Sequence, residues 1–451
     1  MQWHAQFAWL GDAVASDVLI EADGERITRV APGVPAPPGA ARLPGLTLPG
    51  LANAHSHAFH RVLRSRAQAH SGTFWTWRDQ MYKAAARLDP DSYRTLATAV
   101  YAEMALAGIS CVGEFHYLHH RPDGAPYDEP NAMGEALIAA ASDAGIRITL
   151  LDTCYLAGGI GRPLTGPQLR FGDGTVGDWA RRVGGLRDRT DKAGRPHARV
   201  GAAIHSVRAV PREQLGAVAA WAKENEAPLH VHLSEQPAEN EECEEAYGMT
   251  PTRLLAESGA LGALTTAVHA THLTAEDIGL LGGTRTGVCM CPTTERDLAD
   301  GVGPARDLAD AGSPVSLGSD QHAVIDLFEE ARAVELDERL RTRRRGHWTA
   351  GDLLAAATSN GHYGLGWPEA GRIEPGAYAD LVSVALDSVR TAGAAPGHVA
   401  EAAVFAATAA DVRHVVVSGR QIVCDGRHLL VDDVPAALTA AIEAITAEEP
   451  A

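Results

Sequence analysis

Between residues 48 and 320 the chain repeats one rhythm eight times: a short apolar, β-type run, then a stretch of helical character. That alternation limits its fold more than any other feature. The runs end near His57, Glu114, Thr153, His205, His232, His269, Cys291 and Asp320. Ala-rich amphipathic stretches fill intervals between them, among them Tyr93 to Ala107, Ala132 to Ala144, Arg212 to Glu226 and Thr250 to Ser258. Eight such units predict an α/β fold, a TIM (β/α)8 barrel over residues 48–368, with its reactive face at the carboxyl ends of the strands. A doubly wound sheet would put a Gly-rich phosphate loop after its first strand; here that place holds His55-Ser56-His57.

The two ends of the chain have a different texture. Asp17 to Gly24 and Ile27 to Val30 read as strands ahead of a Pro-rich connector, and strands broken by Gly turns return across 371–384 and 412–423. Residues 1–47 and 369–451, the latter closing on a terminal helix, are expected to pair into one small β-sandwich-like domain.

Side chains two apart on a strand share a face, so His55 and His57 can reach one ion from the end of the first strand. His232 and Asp320 end two further runs, and three imidazoles with one carboxylate are the donor set of a catalytic zinc. A binuclear centre of this kind usually needs a bridging lysine carbamate. The only lysines are Lys83, Lys192 and Lys223, none at a predicted strand end, so one zinc per chain is expected. Glu235, three residues past His232, is placed to carry a proton between water and a leaving nitrogen; a helix cap or a solvated carboxylate is the other reading. His269 either orients the attacking water and stabilises developing charge, or is a satisfied core histidine.

On the substrate side, Arg208 follows the fourth strand, Tyr117 follows the second, and Arg78 lies in the long first loop within Phe74-Trp75-Thr76-Trp77-Arg78. Guanidinium forks pair bidentately with carboxylates, so these residues point to an acidic small molecule, although each alone could be an ordinary surface residue. A formal charge of −18 argues against nucleic acid or an acidic membrane as partner. The one basic cluster, Arg339 to Arg345, reads as a solvated helix end or a subunit contact. No apolar run is long enough to span a bilayer or reads as a signal peptide, and the six cysteines lack Cys-x-x-Cys spacing; a cytoplasmic protein with free thiols is expected.

These residues carry a resemblance to the amidohydrolase superfamily, and within it to the formimidoylglutamate deiminases. The superfamily pattern stands as Pro49 to His57, His232, His269, Ser319-Asp320 and, in the tail, Gly371 to Gly376 with Ala379 to Val382. More specific are His55-Ser56-His57-Ala58-Phe59, Phe74 to Arg78, Glu114 to Tyr117, His205-Ser206-Val207-Arg208 and His230 to Gln236. The resemblance covers the whole chain. It implies zinc on His55, His57, His232 and Asp320, proton transfer by Glu235 and His269 beside Asp320, and a dicarboxylate amidine held by Arg78, Tyr117, His205 and Arg208. The implied reaction turns N-formimino-L-glutamate and water into N-formyl-L-glutamate and ammonia, in histidine degradation; the choice of leaving nitrogen rests on the resemblance alone. A homodimer is the expected assembly. Many relatives carry glutamine where this chain has His60, which still offers one hydrogen bond to the substrate. Two other functions share the scaffold: a deaminase of purine or pyrimidine rings, which would leave Arg78 and Arg208 without an electrostatic purpose, and a non-catalytic zinc-dependent binding protein.

Overall fold

Short β-type runs such as 147–154 form strands buried along their whole length, the signature of a parallel sheet covered by helices. In the computed structural model, which describes residues 1–69 and 74–447, eight strands lie side by side in chain order: Leu51–Ser56, Ile109–His116, Arg147–Cys154, Ala198–Ile204, Leu229–Leu233, Thr265–His269, Gly287–Met290 and Val315–Leu317. Every pairing between them is parallel. The ring closes through a parallel bridge from Ser56 to Asp320, where the Asp320 N–H donates to the His55 carbonyl (3.0 Å) and the His57 N–H to the Asp320 carbonyl (3.2 Å). Gly318 makes this closure possible, since a Cβ there would stand 2.8 Å from His55 Cβ.

Helices cross between the strands, with ends fixed by local chemistry. Asp89 caps the helix Pro90–Leu106 by accepting from the Ser92 N–H (2.8 Å), and Gly145, at φ +79°, ends Ala132–Ala144. Among the described residues no helix is long and apolar enough to cross a membrane. Arg339 and Arg341 lie in the last turn of Leu327–Thr342, where Glu335 and Glu338 neutralise them, and Arg343 to Arg345 are exposed.

Both chain ends share a second, mixed sheet of eight strands. Its order is Arg427–His428, Arg420–Cys424, Val412–Val417, Leu381–Val384, Ala41–Pro49, Gln2–Trp9, Val14–Asp23 and Arg26–Ala31, so the terminal segments meet where Leu381 pairs with Pro49. Of the strands with Gly turns expected over 371–384 only Leu381–Val384 forms. Gly371 (φ +77°), Pro375 and Gly376 (φ +92°) turn the chain before it. A buried ion pair ties the two sheets: Arg147, at the start of the third barrel strand, donates to Asp380 and to Ser418 Oγ (2.7 Å), and its guanidinium lies 4.0 Å from the centre of the Tyr378 ring. All six cysteines are free and five are buried.

Candidate active site

The barrel brings the ligand-type residues of strands one, five, six and eight to one point. His55 Nε2 lies 3.1 Å from His232 Nε2 and 3.3 Å from Asp320 Oδ1, which is 3.4 Å from His57 Nε2. Two overlapping groups, His55/His232/His269 and His55/His57/Asp320, each hold their ligand atoms within 4.8 Å of one another. The fit to a metal can be judged from the far side of each ring. His57 Nδ1 faces the Phe115 carbonyl and His232 Nδ1 the His205 carbonyl, both at 2.9 Å. A carbonyl only accepts, so both Nδ1 atoms carry the proton and both Nε2 atoms keep a lone pair aimed at the common centre. Burial pushes the His57 imidazole down to about 3 and lowers His55 and His232 as well, keeping all three neutral. Burial alone would raise Asp320; the hydrogen bond and charge from His55, with His269 and His57, hold it well below the usual carboxylate range. Three neutral imidazoles around one carboxylate suit a divalent cation such as zinc.

Residues that the sequence reading gave no role fix this arrangement. Glu114 accepts from Ser56 Oγ and from the Ala58 N–H, both at 2.7 Å, clamping the turn on either side of His57. Burial pushes the Glu114 carboxyl up to about 7. Asn53 donates to Ser319 Oγ (2.7 Å) and accepts from the Ser319 N–H (2.9 Å), and His322 lies between Ser319 Oγ (2.9 Å) and Ser56 Oγ (3.1 Å). Ser234, His269, Asp320 and His322 all take left-handed backbone (φ +49°, +67°, +40° and +61°), so the centre is ringed by strained non-glycine residues. A spacing pattern carries no signal for such contacts, except that Asn53, Ser56, Glu114 and Ser319 lie inside the motifs already quoted.

Glu235 is buried on the turn after the fifth strand, and its Oε1 stands 3.8 Å from His269 Nε2. It neither caps a helix nor faces solvent: Gln236 is the cap residue of Pro237–Tyr247. Burial raises its carboxyl pKa, opposed by the charge of His269. His269 is no satisfied core histidine. Its Nδ1 makes no hydrogen bond and lies 3.5 Å from Glu295 Oε1, while its Nε2 is 3.9 Å from Asp320 Oδ2. Burial opposes charge on His269, but Glu235, Glu295 and Asp320 outweigh it and raise the imidazole well above its ordinary value. No motif or strand-end spacing in the sequence singles out Glu295.

His60, Arg78, Tyr117, His205 and Arg208 line one inner cavity together with His57, His232, Glu235, His269 and Asp320; His55 lies sealed behind them. Arg78, His205 and Arg208 also line an adjoining vestibule of about 680 Å³. Arg78 is not in a loop as the sequence suggested. Phe74–Ala86 is a helix, which packs against the turn 58–63 and sets the Arg78 guanidinium 5.6 Å from the centre of the Tyr82 ring. His60 Nε2 meets the Tyr117 hydroxyl at 3.0 Å, and the His205 ring packs on Tyr155 at 4.3 Å between centres. Arg208 Nε donates to Glu239 Oε2 at 3.0 Å.

Comparison with known proteins narrows the chemistry. The amidohydrolase family profile matches residues 46–422. The formimidoylglutamate deiminase of Pseudomonas aeruginosa is 36% identical over 401 residues, covering 86% of this chain and 87% of the relative. The 8-oxoguanine deaminase of the same organism is 29% identical over 423 residues, covering 91% and 90%. A solved amidohydrolase from Brucella melitensis superposes with a TM-score of 0.92 at 33% identity, covering 99% of this chain and all of that one.

Proposed function

The chain belongs to the amidohydrolase family and is a hydrolase of C–N bonds, and on that premise we propose that it deiminates N-formimino-L-glutamate to N-formyl-L-glutamate and ammonia, a step that fits histidine degradation. One observation carries the choice of substrate: two arginines, Arg78 and Arg208, share the wall of one small cavity with Glu235, His269 and Asp320. Two guanidinium groups in one cavity wall with a carboxylate able to carry protons suit a substrate with carboxylates at one end and a hydrolysable C–N centre at the other.

In this reading His55, His57 and His232, through Nε2, and Asp320, through its carboxylate, would hold one zinc ion. When bound, such an ion is a Lewis acid that brings the pKa of water down to about 7. The chain's own residues do the rest. Arg208 and Arg78 pair with the substrate carboxylates, Tyr117 and His205 fill the hydrogen bonds around them, and His60 holds the Tyr117 hydroxyl in place. Glu235, whose affinity for a proton is raised by burial, takes one proton as the oxygen of water adds to the formimino carbon. His269, flanked by Glu235, Asp320 and Glu295, stabilises negative charge on that oxygen. Glu235 returns its proton to the terminal nitrogen, then takes the remaining hydroxyl proton as the C=O bond forms and passes it to the same nitrogen while the bond from carbon to that nitrogen breaks, and ammonia and the N-formyl group result. Loss of the other nitrogen would instead give formamide and free glutamate.

A ring deaminase is the second reading, and the aromatic walls Trp77, Tyr117, Tyr155 and Phe171 favour it, since they could stack on a flat base. It leaves both arginines without a counter-charge on the substrate. Ammonia release tests the two directly, with N-formimino-L-glutamate, 8-oxoguanine and 5′-methylthioadenosine supplied separately. Turnover of N-formimino-L-glutamate at a kcat/KM at least a hundredfold above either purine is expected. Preference for a purine would replace the reading.

A further inference from the structure

Arg208 faces two buried carboxylates and is bonded to only one of them. Its Nε donates to Glu239 Oε2 at 3.0 Å. Glu235 is also close enough for its charge to act on the guanidinium, yet no ion pair forms between them. Glu239 sits in the first turn of the helix Pro237–Tyr247, only 1% exposed, where the positive end of the helix favours a carboxylate. Its other oxygen, Oε1, accepts the Ser234 N–H at 3.1 Å. Ser234 immediately precedes Glu235 and takes left-handed backbone at φ +49°, and its carbonyl accepts from the His272 N–H at 3.0 Å. One buried carboxylate therefore grips the guanidinium with one oxygen and the peptide leading into Glu235 with the other.

We propose that Glu239 is a positioning residue that separates the two charges of the site: it anchors Arg208 toward the substrate carboxylate and keeps the guanidinium off Glu235. The inference rests on the roles given above to Arg208 and Glu235. Its physical basis is competition. A guanidinium in a partly dry cavity takes the nearest carboxylate acceptor, because an unpaired buried cation is costly. With the Glu239 charge removed, Glu235 is the other carboxylate whose charge acts on the guanidinium, in the wall of the same cavity. An ion pair there would occupy the proton carrier and also withdraw the cation that the substrate needs. Glutamine at 239 brings a second disturbance, since it has one acceptor oxygen for the two donors that glutamate serves, and its amide N–H must face either Arg208 or Ser234.

The test is a double-mutant cycle on the metal-loaded full chain with Glu239→Gln, Arg208→Ala and the pair, read as kcat and KM for N-formimino-L-glutamate and as the calorimetric Kd of glutarate, a dicarboxylate with no C–N centre. In the parent background Glu239→Gln is expected to lower kcat at least tenfold and to raise both KM and the glutarate Kd at least tenfold. In the Arg208→Ala background, with no guanidinium to swing, the same substitution should change each by less than threefold. Glu239→Asp keeps the charge with a shorter reach and should fall between parent and Glu239→Gln, which keeps the test decisive if the glutamine variant does not fold. Equal effects of Glu239→Gln in both backgrounds would reduce Glu239 to a structural prop and overturn the proposal, as would an unchanged kcat in the parent background. If the parent fails to turn over N-formimino-L-glutamate but binds glutarate, the assigned reaction falls, and the glutarate arm of the cycle still decides the anchoring of Arg208.

Discussion

Replacing Glu235 by glutamine keeps the shape of the side chain and removes the carboxylate proposed to carry protons. The carboxylate is buried, 3.8 Å from His269 Nε2, and is the largest of the charges that raise the His269 imidazole. Two proton transfers would depend on it, from water and to the departing nitrogen, and general acid–base work contributes roughly 10²–10⁴-fold per positioned group. Turnover should therefore fall by at least about a thousandfold, or about 4 kcal/mol of transition-state stabilisation. KM should move by less than about tenfold, because Arg78 and Arg208 are the residues proposed to hold the carboxylate end of the substrate, and a change confined to the transition state appears in kcat. Metal content should stay at the parental value, since His55, His57, His232 and Asp320 are untouched. The assay is steady-state ammonia release beside elemental analysis of the same preparations. Turnover within tenfold of the parent would remove Glu235 from the mechanism and leave His269 as the proton carrier. Loss of the metal would make Glu235 a ligand and reopen the place of Asp320.

Elemental analysis of the purified protein should give one zinc per chain, and two equivalents that survive dialysis would refute the single centre. Arg208→Ala should weaken N-formimino-L-glutamate by about 2–4 kcal/mol with metal retained; an unaltered KM and kcat would refute the carboxylate clamp. His60→Gln keeps a hydrogen-bonding partner for the Tyr117 hydroxyl, so specificity should shift by at most about tenfold, and total loss of activity with metal retained would give His60 a further duty. His362, buried with Nε2 3.1 Å from the Gly50 carbonyl, is held down by burial to about 4. The unfolded chain, titrating near 6.5, then binds the extra proton, so His362 contributes stability above that pH that is lost as pH falls toward 4, about 3 kcal/mol at most. Unfolding followed from pH 7 to pH 4 should show a shallower loss in His362→Gln than in the parent, and equal slopes would refute the assignment.

Much of this protein was legible in its sequence, because the strongest signals are local. Period and punctuation marked eight β-type runs. A parallel barrel gathers the carboxyl ends of its strands on one face, so residues as distant as His55 and Asp320 could be expected near each other before any contact was known. The same logic brought Glu235 and His269 to that face and suggested arginines above it. Where local signals conflict, the tertiary structure decided. The aromatic start of 74–86 lacks a clear apolar period and reads as loop, yet it is helical where it packs on 58–63. The stretch 371–384 reads as strands broken by Gly turns, and the turns at Gly371 and Gly376 leave only Leu381–Val384 as a strand. Only the fold placed Glu114 behind Ser56, Asn53 against Ser319, Glu295 beside His269, Glu239 between Arg208 and Ser234, and Arg147 on Asp380. Most of these contacts join residues far apart in the chain. Each depends on a rotamer and on burial that makes an unpaired polar group costly, and neither quantity has a period along the sequence.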